Sequence, residues 1–120
     1  MRRFNPEWLN RPRKRGSPEN HLVLQILHYL RARGLTAGKV KVKGSFSKKG
    51  AFILDPYLMT GLPDIFAFDD KNKVMYGVEC KVGSNIQSPN QRNFQELFHN
   101  PPGRVYLVAY SLEEIQKIIC

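Results

Sequence analysis

A chain of 120 residues, 42% apolar with seven Phe and five Tyr, closes one modest core and not two. No run reaches the roughly eighteen apolar residues a membrane span needs, and Met-Arg-Arg-Phe-Asn-Pro at the start has no apolar stretch behind it to make a secretory signal, so the chain is expected to act inside a cell. The net charge of +9 is uneven: residues 1–50 hold thirteen Lys/Arg against Glu7 and Glu19, and residues 51–120 hold six against eight acids, a split that favours a nucleic acid over an anionic membrane surface as the partner.

Residues 1–16 carry Arg2, Arg3, Arg11, Arg13, Lys14 and Arg15 between Pro6 and Pro12, with neither helical nor strand period. They read as a basic N-terminal arm, ahead of a domain over 17–120. Ser17-Pro18-Glu19 opens a helix, with Ser17 as N-cap and Pro18 in the first turn. Leu22, Val23, Ile26, Leu27 and Leu30 recur at helical spacing, and Gly34 ends the run. At roughly 100° per residue, Val23, Ile26 and Leu30 fall within about 40° of Glu19. Two readings of Glu19 stand. It heads the apolar stripe towards the core or the rim of a cleft, or it is a first-turn acid favoured by the helix dipole.

Lys39-Val40-Lys41-Val42-Lys43 alternates with period two and reads as a half-exposed strand. The stretch 44–60 holds Lys48, Lys49 and the apolar run Ala51-Phe52-Ile53-Leu54, a second strand or a loop that carries one. Asp64-Ile65-Phe66-Ala67-Phe68 reads as a buried strand, 69–72 as a turn, and 74–82 as the returning strand of an antiparallel hairpin. Ser88-Pro89-Asn90-Gln91 starts another helix with a capping-box pattern, and Phe94, Leu97 and Phe98 supply its apolar face. Residues 105–110 form a nearly continuous apolar strand, which implies burial on both faces. Ser111-Leu112-Glu113-Glu114 caps a last short helix. The order αβββαβα describes an α/β fold, a mixed sheet of about four strands flanked by helices.

Alternation in the returning strand puts Glu79 and Lys81 on one face, with Gly77 leaving room for an approach to the sheet. Asp64 and Glu79 lie at similar distances from the turn, so antiparallel pairing brings them together. Two carboxylates ~5 Å apart repel by about 3 kcal/mol at an effective dielectric near 20. Lys81 offsets part of this; a divalent cation offsets it better. The plain alternative is a surface Asp beside an ordinary strand Glu–Lys pair, which the Gly61-Leu62-Pro63-Asp64 turn and the apolar surroundings make less apt. Gln91 fits a cap first, and also stands where a phosphate is welcome. Cys80 and Cys120 have neither zinc nor disulfide spacing, and His21, His28 and His99 have no metal spacing.

Gly61-Leu62-Pro63-Asp64 followed by Glu79-Cys80-Lys81 resembles the signature of the PD-(D/E)XK nuclease superfamily. Ser88-Pro89-Asn90-Gln91 and Glu19 are similar to segments of its VRR-NUC family, the virus-type replication-repair nucleases. The resemblance spans about residues 17–116. It implies a restriction-endonuclease-like core and hydrolysis of DNA phosphodiesters with Mg²⁺ or Mn²⁺. Asp64, Glu79 and the backbone carbonyl of Cys80 would be metal ligands, and Glu19 would complete the site directly or through water. Lys81 would orient water or stabilise transition-state charge, and Gln91 would brace the site or touch the phosphate. Cys80 itself departs from the aliphatic residue usual there. The resemblance also implies a homodimer acting on branched DNA such as four-way junctions. Arg13, Lys14, Arg15, Lys39, Lys41, Lys43, Lys48 and Lys49 are the candidate phosphate contacts. A flap, single-strand or sequence-specific nuclease is the alternative within the superfamily, and a non-catalytic nucleic-acid-binding protein the alternative outside it.

Overall fold

The structure is a computed structural model that describes residues 17–40, 45–46, 52–53 and 59–120. The basic arm, its Arg13, Lys14 and Arg15, and the candidate contacts Lys41, Lys43, Lys48 and Lys49 lie outside the described residues.

Helix α1 (Pro18–Ala32) starts where Ser17 Oγ accepts the Asn20 amide at 3.1 Å, with Pro18 in the first turn, where no amide hydrogen is needed. It ends at Gly34, whose φ of +88° a side chain would resist. Leu22, Val23, Ile26, Leu27 and Leu30 are buried as their spacing demands, Ile26 and Leu30 completely. Each such aliphatic side chain contributes about 1.5–3 kcal/mol.

Strands β1 (Thr36–Lys39), β4 (Ile65–Asp69), β5 (Val74–Cys80) and β6 (Arg104–Ala109) form one sheet in the order β1-β4-β5-β6. β1, β4 and β5 are an antiparallel meander, and β6 runs parallel to β5. The parallel step needs a crossover, which helix α2 (Pro89–Phe98) provides. Helix α3 (Leu112–Ile118) follows β6 behind a Ser111–Glu114 capping box. Strands β2 (Ser45–Phe46) and β3 (Phe52–Ile53) form a separate antiparallel pair between β1 and β4.

The expected α/β order with a mixed four-stranded sheet stands, and β3 falls within the apolar run 51–54, in the stretch read as a second strand or a loop that carries one. Of the strand expected over 39–43, residues 41–43 lie outside the described residues; β1 covers Thr36–Lys39, so it begins ahead of the expected boundary. Pairing Thr36 with Phe68 and Lys39 with Ile65 sets its register and buries Ala37.

Each strand splits its side chains between two layers. Ile65, Ala67, Val78, Cys80 and Ala109 meet α1 and α3 on one face, where the Tyr29 hydroxyl also donates to the Ile119 carbonyl at 2.6 Å. Phe66, Met75, Tyr106 and Val108 meet Phe94 and Phe98 of α2 on the other. There the Phe94 and Phe98 rings stack at 5.5 Å, and Phe66 lies 5.9 Å from Phe98. Gly77 does not leave the opening expected of it. A Cβ there would meet Pro63 at 3.2 Å and Phe98 at 3.4 Å, so the space serves packing. Among the described residues, no helix is long and apolar enough to cross a membrane.

Candidate metal centre

The Gly61-Leu62-Pro63-Asp64 turn delivers Asp64 to the start of β4. Its placement depends on a close approach. Gly61 has φ +74°, and a Cβ on it would lie 2.1 Å from the Asn90 carbonyl oxygen and 2.8 Å from the Gln91 nitrogen. The turn therefore rests directly on the first turn of α2, and only glycine fits there. Asp64 is further fixed through its carbonyl, which accepts the Val40 amide at 2.9 Å, and through Oδ2, which accepts the Cys80 amide at 2.8 Å.

Ile65 pairs with Val78, so the ladder extended by one residue sets Asp64 opposite Glu79, as the hairpin count predicts. Both project on the α2 face. Glu19 comes from α1, on the other side of the sheet, and reaches the same end. One carboxylate oxygen from each of Glu19, Asp64 and Glu79 lies within 4.8 Å of the others. Glu19 is a first-turn acid of α1 and also stands beside Asp64 and Glu79.

Glu79 is the most constrained of the three, being only 1% exposed. Its Oε1 accepts Gln91 Nε2 at 2.8 Å and lies 3.5 Å from Lys81 Nζ. Its Oε2 is buried and, among the described residues, has no hydrogen-bond partner. Burial first, and then the Asp64 carboxylate, push the Glu79 carboxyl up from its ordinary 4.5 to about 7, against the pull of Lys81. The Cys80 thiol rises to about 12, chiefly by burial, with the three carboxylates adding to it. It is thus an inert core group on the α1 face.

An orphaned buried carboxylate oxygen costs free energy unless a partner completes it. Three carboxylates converging on one point, with Glu79 Oε1 already occupied and Oε2 free, fit a hard divalent cation such as Mg²⁺ or Mn²⁺.

Gln91 caps α2 as its spacing predicts, and it also braces Glu79. Its Oε1 accepts the Ser88 amide at 2.9 Å, and its backbone amide donates to Ser88 Oγ at 3.2 Å, which closes the capping box. Its Nε2 meanwhile holds Glu79. The helix cap and the site share one side chain.

The structure brings Glu19, Asp64, Glu79, Lys81 and Gln91 together. It also sets Lys39 nearby. Lys39 pairs with Ile65, and its Nζ donates to Asn20 Oδ1 at 3.4 Å, beside Glu19. The sequence marked Lys39 only as one basic residue among many. The register of β1, which no local pattern reveals, is what carries it to the rim. The Cys80 amide on Asp64 was likewise missed; of Cys80, the sequence singled out only the carbonyl.

No family model matches the sequence, and no curated protein matches it. Among solved structures, a VRR_NUC domain superposes with a TM-score of 0.62 at 20% identity, over 87% of this chain and 96% of that one. The chain has the fold of a VRR_NUC domain.

Proposed function

We propose that the chain is a metal-dependent nuclease of the VRR-NUC family, an endonuclease that hydrolyses phosphodiester bonds in DNA. The observation that carries this reading is the convergence of Glu19, Asp64 and Glu79 oxygens within 4.8 Å, one Glu79 oxygen being buried and without a partner among the described residues. A VRR_NUC fold supports it.

In this reading Asp64, Glu79 and the Cys80 carbonyl would hold Mg²⁺ or Mn²⁺, and Glu19 would bind it directly or through water. When bound, the ion supplies a polarised phosphoryl oxygen and an activated water. The chain's own groups do the rest. Gln91 and Lys81 engage Glu79 Oε1, and Oε2, without a partner among the described residues, would be available to a cation. The Lys81 ammonium has three protons and lies 3.5 Å from Glu79 Oε1, where it would orient the attacking water or meet a phosphate oxygen as charge builds up. The Cys80 amide fixes the Asp64 carboxylate, which would hold its place for an ion. Lys39, exposed at the rim, takes a neighbouring phosphate.

Branched DNA is the proposed substrate and a homodimer the proposed assembly, both on the family resemblance and the basic first half of the chain. The chain is proposed to act inside a cell, with residues 1–16 as a basic arm ahead of the catalytic domain. The test is a panel of four-way junctions, flaps, single strands and linear duplexes at fixed salt, with and without Mg²⁺. Nicking of branched DNA is expected with the metal only. Asp64→Ala, Glu79→Ala and Lys81→Ala should each abolish cutting and leave binding; retained cleavage in any of them sinks its assigned role. Salt-sensitive binding with no metal-dependent cutting would reduce the chain to a non-catalytic binder. Sedimentation tests the dimer.

A further inference from the structure

The loop from Lys81 to Ser88 leaves β5 immediately after Glu79-Cys80-Lys81 and delivers the first turn of α2. It is tied down along its length. The Asn85 amide donates to the Val82 carbonyl at 3.2 Å. The Tyr110 hydroxyl donates to the Asn85 carbonyl at 3.0 Å, and Gln87 Nε2 donates to the Tyr106 hydroxyl at 3.4 Å. Both tyrosines belong to β6 or the residue just after it. Between the two pinned residues stands Ile86, 75% exposed.

A lone exposed aliphatic residue is ordinary on a protein surface. Ile86 differs in its footing and its address. Its neighbours on both sides are bonded to the body, so the loop cannot easily fold it away. It is two residues, at most about 7 Å of chain, from Ser88. The Ser88 amide is bonded to Gln91, and Gln91 to Glu79. The sheet order also gives the site two unlike flanks. Lys39, a cation, lies on the β1 side, and Ile86, an apolar side chain, on the β6 side. A polyanion backbone has no use for an isoleucine, whereas the face of an unstacked base does.

We propose that Ile86 is an apolar wedge that packs against a base unstacked beside the scissile phosphate, so that an opened or easily opened base step is the feature of DNA this site selects. The proposal rests on the nuclease reading and names what that nuclease recognises.

The test uses the full chain and DNA substrates with 2-aminopurine placed in turn at each position around a branch point, with Ca²⁺ replacing Mg²⁺ to hold back cutting. Wild-type protein should raise the fluorescence at one position, Ile86→Ser should lose that rise, and Ile86→Phe should keep it. In single-turnover assays with Mg²⁺, Ile86→Ser should cut paired steps about tenfold more slowly and cut a substrate already mismatched at that step at the wild-type rate, since the cost of opening has been removed. Equal fluorescence for wild type and Ile86→Ser overturns the wedge, as does an equal loss of rate on paired and mismatched DNA, which would mean a disordered loop. A change in oligomeric state on Ile86→Ser, seen by sedimentation, would make Ile86 a contact between copies and overturn it too. Cutting by wild type with no fluorescence change at any position overturns the wedge and leaves the nuclease; failure of wild type to bind or cut any DNA overturns both.

Discussion

Glu79 concentrates the chemistry of this fold in one side chain, and its protonation gives a test that needs no substrate. In the metal-free protein its carboxyl titrates at about 7, against 4.5 for an ordinary glutamate, because burial and Asp64 disfavour the charge. Between those values the folded protein holds a proton that the unfolded chain has released. The unfolded state binds fewer protons, so stability falls as pH rises. The contribution of Glu79 is fully present below 4.5 and is lost as pH passes through about 7. The melting temperature in EDTA should therefore fall from pH 4.5 to 7.5, and Glu79→Gln, which cannot ionise, should flatten the profile. Saturating Mg²⁺ or Mn²⁺ should raise the melting temperature most at the upper end, where the ionised cluster binds the cation best. A wild-type profile as flat as the variant's would contradict the burial argument.

Gln91 and Ser88 separate capping from site positioning. Ser88→Ala removes only the side chain that accepts the Gln91 amide and should cost about 1 kcal/mol of stability. Gln91→Ala loses its part of the cap and the bond to Glu79 as well, and should weaken metal affinity by about 10–100-fold, as outer partners of metal ligands do. Calorimetric titration with Mn²⁺ decides. If the two variants bind the ion equally well, Gln91 is a cap alone.

At the scale of elements, the decisive contact is between the turn before β4 and the start of α2. Gly34 and Gly61 both have positive φ, but a Cβ at Gly34 meets nothing within 4 Å, whereas one at Gly61 strikes the Asn90 carbonyl. Gly34→Ala should cost only the left-handed conformation, about 1–2 kcal/mol. Gly61→Ala adds a clash that has to push the Asp64 turn off α2, so its loss should exceed that of Gly34→Ala and should extend to metal binding. Chemical denaturation and Mn²⁺ titration of the pair check both halves. The sequence did not disclose this contact, since Gly61 and Asn90 meet only through the crossover. What was legible was local or nearly so. Ser17-Pro18 and Gly34 bounded α1, the capping box began α2, and a short turn made the Asp64–Glu79 pairing countable. Non-local pairing was out of reach. β1 lies over Thr36-Ala37-Gly38-Lys39, which carries almost no apolar signal, and its register comes from β4. Gly77 looked like an opening because the rings that fill it come from other elements.

Over the whole molecule, charge and chemistry occupy different parts of the chain. The acids that could hold a cation sit at one end of the sheet, while most of the Lys/Arg precede residue 51. If those cations grip phosphates without reading sequence, each should add about 0.9 to the slope of log affinity against log salt. Lys39→Ala should lower the slope by about 1 and leave the rate at saturating DNA within about twofold, because Lys39 borders the cluster without belonging to it. Deleting residues 1–16 removes Arg2, Arg3, Arg11, Arg13, Lys14 and Arg15 and should lower the slope by up to about 5. Affinity for junctions, flaps and linear duplexes should then fall in parallel, since a backbone contact weighs every shape alike. A truncated chain that loses its preference among these shapes would instead mean that the arm recognises the branch, and selection at the sheet end would have to be correspondingly weaker.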